Sequence, residues 1–347
     1  MYLLVLCSQV MKIIFLGQPT PASQELNRIE HLAVQAIANG HAVVPYYGFI
    51  KNIIGILAMR MTKPNTIHVH GWNTAILFVF LQLFAARDTV RIWTIERIPS
   101  TNSSFQERIF QYFISMLAPS FSQICVPTRT LQYRLLSLYG IKAFYIPDGY
   151  TEPVLQDIQP REYGLRNNQY GMILSQSIDA ITHIAQAYSD SQSKKKLVIL
   201  SRYSSPDIKK LTKSYPFITP ISLPATSRGA QSMVRSAGFV VMCEPAYSPL
   251  LLQAMDTNRV VIATTNPLHE EILGTTGFYY QEQDMTHLAQ LLQKAAKGVP
   301  MPKYSPSTRA KHHFLWEKTG LEYEHFYGRK TTKLVPFDSL IAKRALI

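Results

Sequence analysis

Cysteine is scarce in this sequence of 347 residues: Cys7, Cys125 and Cys243 stand far apart with no paired spacing. That excludes a disulfide framework and suits a reducing compartment such as the cytoplasm. Charge is thin as well, 16% of the chain against 47% hydrophobic, which excludes a disordered chain and supplies sizeable cores. Long apolar runs are missing. The longest, Thr74–Ala86, has 13 residues where a bilayer span needs about 20, so it reads as a buried helix. The apolar opening "MYLLVLCSQV" lacks a basic flank and a small-residue cleavage site, which argues against a signal peptide. Met11 opens the next segment and marks the expected start of the functional domain. A P-loop, a G-x-S-x-G elbow and a true G-x-G-x-x-G fingerprint are all absent.

Positive charge is in excess. The formal net charge is +13, which points to an anionic partner. Residues 1–150 carry 12 basic against 6 acidic residues (+6), and the remainder 23 against 16 (+7). So even a spread, without zinc-finger spacing or a basic zipper, argues against nucleic acid as the partner.

Short apolar segments alternate with amphipathic ones. "KIIFLG", "HAVVPYY", "NTIHVHG", "VRIWTIE" and "SQICVP" read as strands separated by helices, the first helix running from about Ser23 to Asn39. Around "YIPDGYTEPVLQDIQPREYGLRNNQY" the periodicity stops, which puts a domain boundary near residue 155. It restarts with "GMILS", "KLVILS", "FITPISLP", "FVVMCE" and "RVVIAT", followed by a last long helical region. The expectation is an α/β protein with two doubly wound parallel-sheet domains, 11–155 and 156–310, then a helix and basic tail over 311–347. Such sheets bind ligands at their strand carboxyl ends.

The stretch "EPAYSPLLLQAM", Glu244–Met255, carries most of the chemistry. Ser248 followed by Pro249 is a helix start, with the serine hydroxyl as the expected cap and backbone N–H groups free at Leu250 and Leu251. These amides and the helix dipole are suited to an anion and need no charged side chain. Arg202 and Arg228 lie in loops where they can add charge. In the first half, His68 and His70 share one strand face. With no third ligand in sight, metal binding is not expected. Glu96 ends a strand, where it could orient an acceptor hydroxyl or act as base, or be half of a salt bridge. "FIKNIIGILAMRMTK" mixes aliphatics with Lys51, Arg60 and Lys63, as a helix lying on an anionic bilayer would.

The order of these pieces resembles a family 4 glycosyltransferase. "IEHLAVQAIANGHAVV", "IHVHG", "IPDGY", "LLLQAMDTNRVVIATTNPLHEEILG" and "FLWEKTGLEYEHFY" follow the family's sequence of motifs from Met11 to about Tyr327. The resemblance implies the GT-B architecture, two Rossmann-like domains facing across a cleft, and a helix returning to the first domain. It also implies transfer of a sugar from a nucleotide-diphosphate-sugar donor with retention, without metal or further cofactor. On that pattern Glu244 would face the transferred sugar and Gln253 the ribose, with Ser248, Pro249, Leu250, Leu251, Tyr247 and Arg202 around the donor. The acceptor side would hold His70, Asn27 and Arg28, with Glu96 as a catalytic residue that orients an acceptor hydroxyl or acts as base.

The donor motif is degenerate. Glu244 and Gln253 are nine apart (253 − 244), one more than the family's eight, and the second is an amide. Asn27 and Arg28 replace a glycine pair, Glu96 replaces a histidine, and no Lys or Arg occurs from Asn167 to Ser193. The expected function is transfer to an envelope polysaccharide, glycan or lipid-linked acceptor at the inner face of the plasma membrane. The alternative is a catalytically impaired relative that binds a glycan or partner protein.

Overall fold

The structure is a computed structural model that describes residues 10–17, 24–81, 88–96, 98, 104–150, 160–175, 177–191, 193–200, 206–223, 227–243, 248–298 and 304–327. The chain divides into two compact units: residues up to Pro147 together with those from Trp316, and Asp148–Leu315. The boundary therefore falls at 147/148 rather than near 155. Residues 311–315 belong to the second unit, not to the returning segment.

In the first unit, β1 (Lys12–Gly17), β2 (Ala42–Tyr47), β3 (Thr66–His70), β4 (Val90–Thr94), β5 (Gln123–Val126) and β6 (Phe144–Tyr145) form one parallel sheet. Its order is β2-β1-β3-β4-β5-β6. The helices are α1 (Gln24–Ala38), α2 (Phe49–Thr62), α3 (Trp72–Leu81), α4 (Ser104–Leu117) and α5 (Arg129–Tyr139). β3 is buried at every position, as befits a strand covered on both faces. The apolar run expected as a buried helix is only half so: Thr74, Ala75 and Phe78 of α3 are buried and Phe80 is exposed.

In the second unit, β7 (Tyr170–Ile173), β8 (Lys196–Leu200), β9 (Ile218–Ile221), β10 (Phe239–Met242), β11 (Val260–Thr264) and β12 (Phe278–Tyr280) make another parallel sheet. Its order is β12-β11-β10-β7-β8-β9. Six helices intervene or follow: α6 (Ile178–Asp190), α7 (Pro206–Ser214), α8 (Arg228–Ser236), α9 (Pro249–Asp256), α10 (Pro267–Leu273) and α11 (Met285–Lys297). α12 (Pro306–His313) closes this unit, and α13 (Trp316–Glu324) packs on α1 in the first. Gly320 allows that approach, since a Cβ there would sit 2.8 Å from the Gln35 side chain. Among the described residues, the region read as a last long helical one is thus four helices and a strand. β12 is three residues long, too short for periodicity to separate it from a helix.

Candidate functional site

Each sheet has one place where the strand order reverses, and open α/β sheets bind ligands beyond the strand carboxyl ends at that point. In the first unit it lies between β1 and β3, which end at Gly17 and His70. In the second it lies between β7 and β10, which lead into α6 and α9.

The first unit fills its reversal point with buried polar side chains. Arg28, from α1, donates from Nη1 to Oε1 of Glu96, just past β4, at 2.6 Å; the side chains are 3% and 14% exposed. Glu96 is therefore half of a salt bridge. A carboxylate gripped by a guanidinium is a fixed charge rather than an open acid or base. His68 is fully buried, with Nε2 2.8 Å from Thr94 Oγ1 and Nδ1 3.3 Å from the Tyr327 hydroxyl. Thr94 Oγ1 is also 3.0 Å from the Tyr323 hydroxyl.

His70 lies with its ring centroid 4.2 Å from that of His68, and neither of its ring nitrogens has a hydrogen-bond partner among the described residues. Burial holds both histidines well below the ordinary imidazole pKa; Arg28 adds to this for His68, and His68 and then Arg28 for His70. Both rings are therefore neutral near pH 7. Asn27 lies on α1 beside Arg28. No group of three or more His, Cys, Asp or Glu among the described residues is arranged to hold a metal.

The second unit supplies mostly backbone. Thr264 Oγ1 donates to the Cys243 carbonyl at 2.8 Å, tying the end of β11 to the end of β10. From there the chain enters α9 through 244–247, so Glu244 and Tyr247 lie outside the described residues, as does Arg202 after β8. Ser248 is the N-cap of α9 with Pro249 next, but its side chain makes no capping bond. The first turn tightens instead, and the Leu251 N–H donates to the Ser248 carbonyl at 3.0 Å. Two expectations are corrected here: Ser248 does not cap, and the Leu251 amide is not free. Leu250 and Leu251 are buried in the second unit's core. Gln253 is buried too, 2% exposed, and its carbonyl receives Thr257.

Sequence reasoning missed the roles of Tyr323, Tyr327 and Thr94 around His68. The aromatic residues were visible in "GLEYEHFY", but nothing local ties them to a strand more than 200 positions away. It also missed Ser177, which caps α6 at the second reversal point by accepting from the Ala180 N–H at 3.3 Å.

Two tandem Rossmann-like domains with parallel sheets define the GT-B architecture, and solved structures share it over nearly the whole chain. Anabaena HepE in complex with UDP is 12% identical with a TM-score of 0.67, covering 91% of this chain and 99% of that one. The lipopolysaccharide outer core galactosyltransferase WaaB is 10% identical (TM-score 0.61; 91% and 99%). The UDP-GlcNAc 2-epimerase of Methanocaldococcus jannaschii is 12% identical (TM-score 0.59; 91% and 99%). No family model matches the sequence, and no curated protein matches it.

Proposed function

We propose that this protein is a glycosyltransferase that moves a sugar from a nucleotide-diphosphate-sugar donor to a glycan, an envelope polysaccharide or a lipid-linked acceptor. The donor would lie on the second unit and the acceptor against the first, with retention and without metal or further cofactor. The observation that carries the reading is the start of α9. It follows β10 at the strand-order reversal, with the helix dipole's positive end and a serine hydroxyl that the helix itself does not use. A leaving diphosphate is the group such an end favours. The solved structures named above support the donor class: HepE holds UDP, and the epimerase acts on a nucleotide sugar.

A lipid-linked acceptor is supported by α2. Ile50, Ile54, Leu57 and Met61 fall on one exposed face, with Ile50 72% and Met61 88% open to solvent, while Asn52, Gly55, Ile56 and Met59 face inward. Lys51, Arg60 and Lys63 flank that stripe, so docking to an anionic bilayer is the use that fits. No helix among the described residues is long and apolar enough to cross a membrane.

Thermal shift against a panel of nucleoside diphosphates and their sugars tests the donor. A ligand at 100 times its Kd adds about 2.7 kcal/mol of stability. Binding should tighten in Gln253→Glu, which restores a second acceptor oxygen. No shift from any nucleotide would sink the transferase. A second reading, a glycan-binding relative without activity, is favoured by the Glu96–Arg28 pair, which leaves the acid candidate engaged. Nucleotide binding without release of diphosphate from any donor sugar would select it.

A further inference from the structure

The opposite, amino-terminal edge of the second sheet carries a different feature. Residues just before four adjacent strands converge there: Arg259 before β11, Arg235 at the end of α8 before β10, Asn168 before β7 and Lys195 before β8. Asn168 is the hub. It adopts a left-handed backbone, φ 62°, and its N–H donates to the Ser236 carbonyl at 2.8 Å. Lys195 Nζ donates to the Asn168 carbonyl at 3.0 Å, and Arg259 Nη1 donates to the Asn168 side-chain oxygen.

Two positions along, Gly238 leaves room for the hub, because a Cβ there would lie 2.9 Å from the Asn168 carbonyl oxygen. Lys195 and Arg259 thus meet at one residue, with Arg235 close enough to Arg259 to act on its charge, and all three cations are half-buried. Among the described residues none has a carboxylate partner; the ion pairs there lie elsewhere. The Nε atoms of Arg235 and Arg259 are both buried with no acceptor among the described residues. Burial draws the Arg259 pKa down; Tyr170 opposes the change and the neighbouring Arg235 adds to it. Exposed Arg166, Lys194 and Lys196 lie within two positions of Asn168 or Lys195 along the chain.

Gathering like charges costs free energy unless an anion compensates, and buried guanidinium N–H groups need acceptors. A group with several oxygens meets both needs, and arginine forks match phosphoryl geometry. We propose that Arg235, Arg259 and Lys195 form a second anion site, for a phosphoryl group, at the amino-terminal edge of the second sheet. It is separate from the α9 start, which lies beyond the carboxyl ends of the same strands, and it does not depend on the transferase reading. The phosphoryl group can belong to a soluble phosphate or to a lipid headgroup.

The Arg235 side chain makes no hydrogen bond or ion pair among the described residues, so Arg235→Gln removes charge without removing a contact seen there. Calorimetric titration of the full chain with inorganic pyrophosphate should show binding that Arg235→Gln weakens about tenfold, or about 1.4 kcal/mol. Ser248→Gly with Pro249→Ala should leave that Arg235-dependent component unchanged, even if every nucleotide fails to bind. Sedimentation with vesicles of phosphatidylcholine containing phosphatidic acid separates the sources. A loss in Arg235→Gln relative to wild type supports a headgroup; a loss with pyrophosphate alone supports a soluble phosphate. Equal behaviour of wild type and Arg235→Gln with both probes overturns the site.

Discussion

The two strand-order reversals are built from opposite materials. The first unit closes its reversal with an ion pair, two neutral histidines and tyrosines from α13 and the turn after it. The second reaches its own with helix starts, short side chains and few charges. Side-chain networks of the first kind are costly to disturb, because every member is desolvated and depends on the others. Helix starts are held by packing further along the helix, as α9 is by Leu250–Met255, so the fold does not depend on side-chain bonds at the tip. The contrast predicts that mutations at the first reversal act mainly on stability, whereas those at the second act on binding.

The largest effect should come from Arg28→Ala. It leaves Glu96 in a largely buried position without its guanidinium, a loss worth about 3–5 kcal/mol when one half of a buried pair is removed. Urea denaturation should show the midpoint falling with the m-value kept. The double variant Arg28→Met with Glu96→Gln should recover most of the loss. A small effect of Arg28→Ala would mean that the pair is solvated, and the contrast between the two reversals would weaken.

How much of this was legible in the sequence differs between the same two places. The alternation of apolar strands with amphipathic helices gives both sheets, because each buried strand is a local run such as "KIIFLG" or "RVVIAT". The start of α9 is legible for the same reason, since Ser248 and Pro249 act on their own neighbours. Whether Ser248 caps is not a local matter: extended Ser248 leaves its hydroxyl off the helix and the turn tightens. The choice between salt bridge and free acid for Glu96 also needed coordinates, because Arg28 lies 68 residues away. The His68 network and the cations around Asn168 are equally long-range, and no spacing rule reaches them.

A middle-sized effect is expected from pH. His68 and His70 have folded-state pKa values well below the ordinary 6.5, which the unfolded chain retains. The unfolded state then binds more protons below pH 6.5, so their contribution is fully present above that value and is lost as pH falls from there towards the folded pKa values. Each neutral histidine adds a slope of about 1.4 kcal/mol per pH unit in that window. Denaturant midpoints between pH 7 and 5 should therefore fall steeply in wild type and less steeply in His70→Asn. Equal slopes would show that His70 is protonated in the folded chain. The buried histidine of the second unit, His269, lies instead at the end of β11, against Thr264 and Asn266.

The smallest effect sharpens the comparison most. Ser248 and Asn266 both precede a proline that opens a helix, and both are extended, but only Asn266 caps with its side chain, accepting from the His269 N–H at 2.9 Å. Losing a working cap costs about 1 kcal/mol, so Asn266→Ala should lower stability by that amount. Ser248→Ala should change stability by less than about 0.5 kcal/mol, since its hydroxyl makes no capping bond and no bond among the described residues. Any nucleotide bound at α9 should nevertheless dissociate more readily from Ser248→Ala. Equal stability losses in the two variants would mean that the Ser248 hydroxyl serves the fold in solution, leaving the start of α9 without the spare donor on which the transferase reading leans.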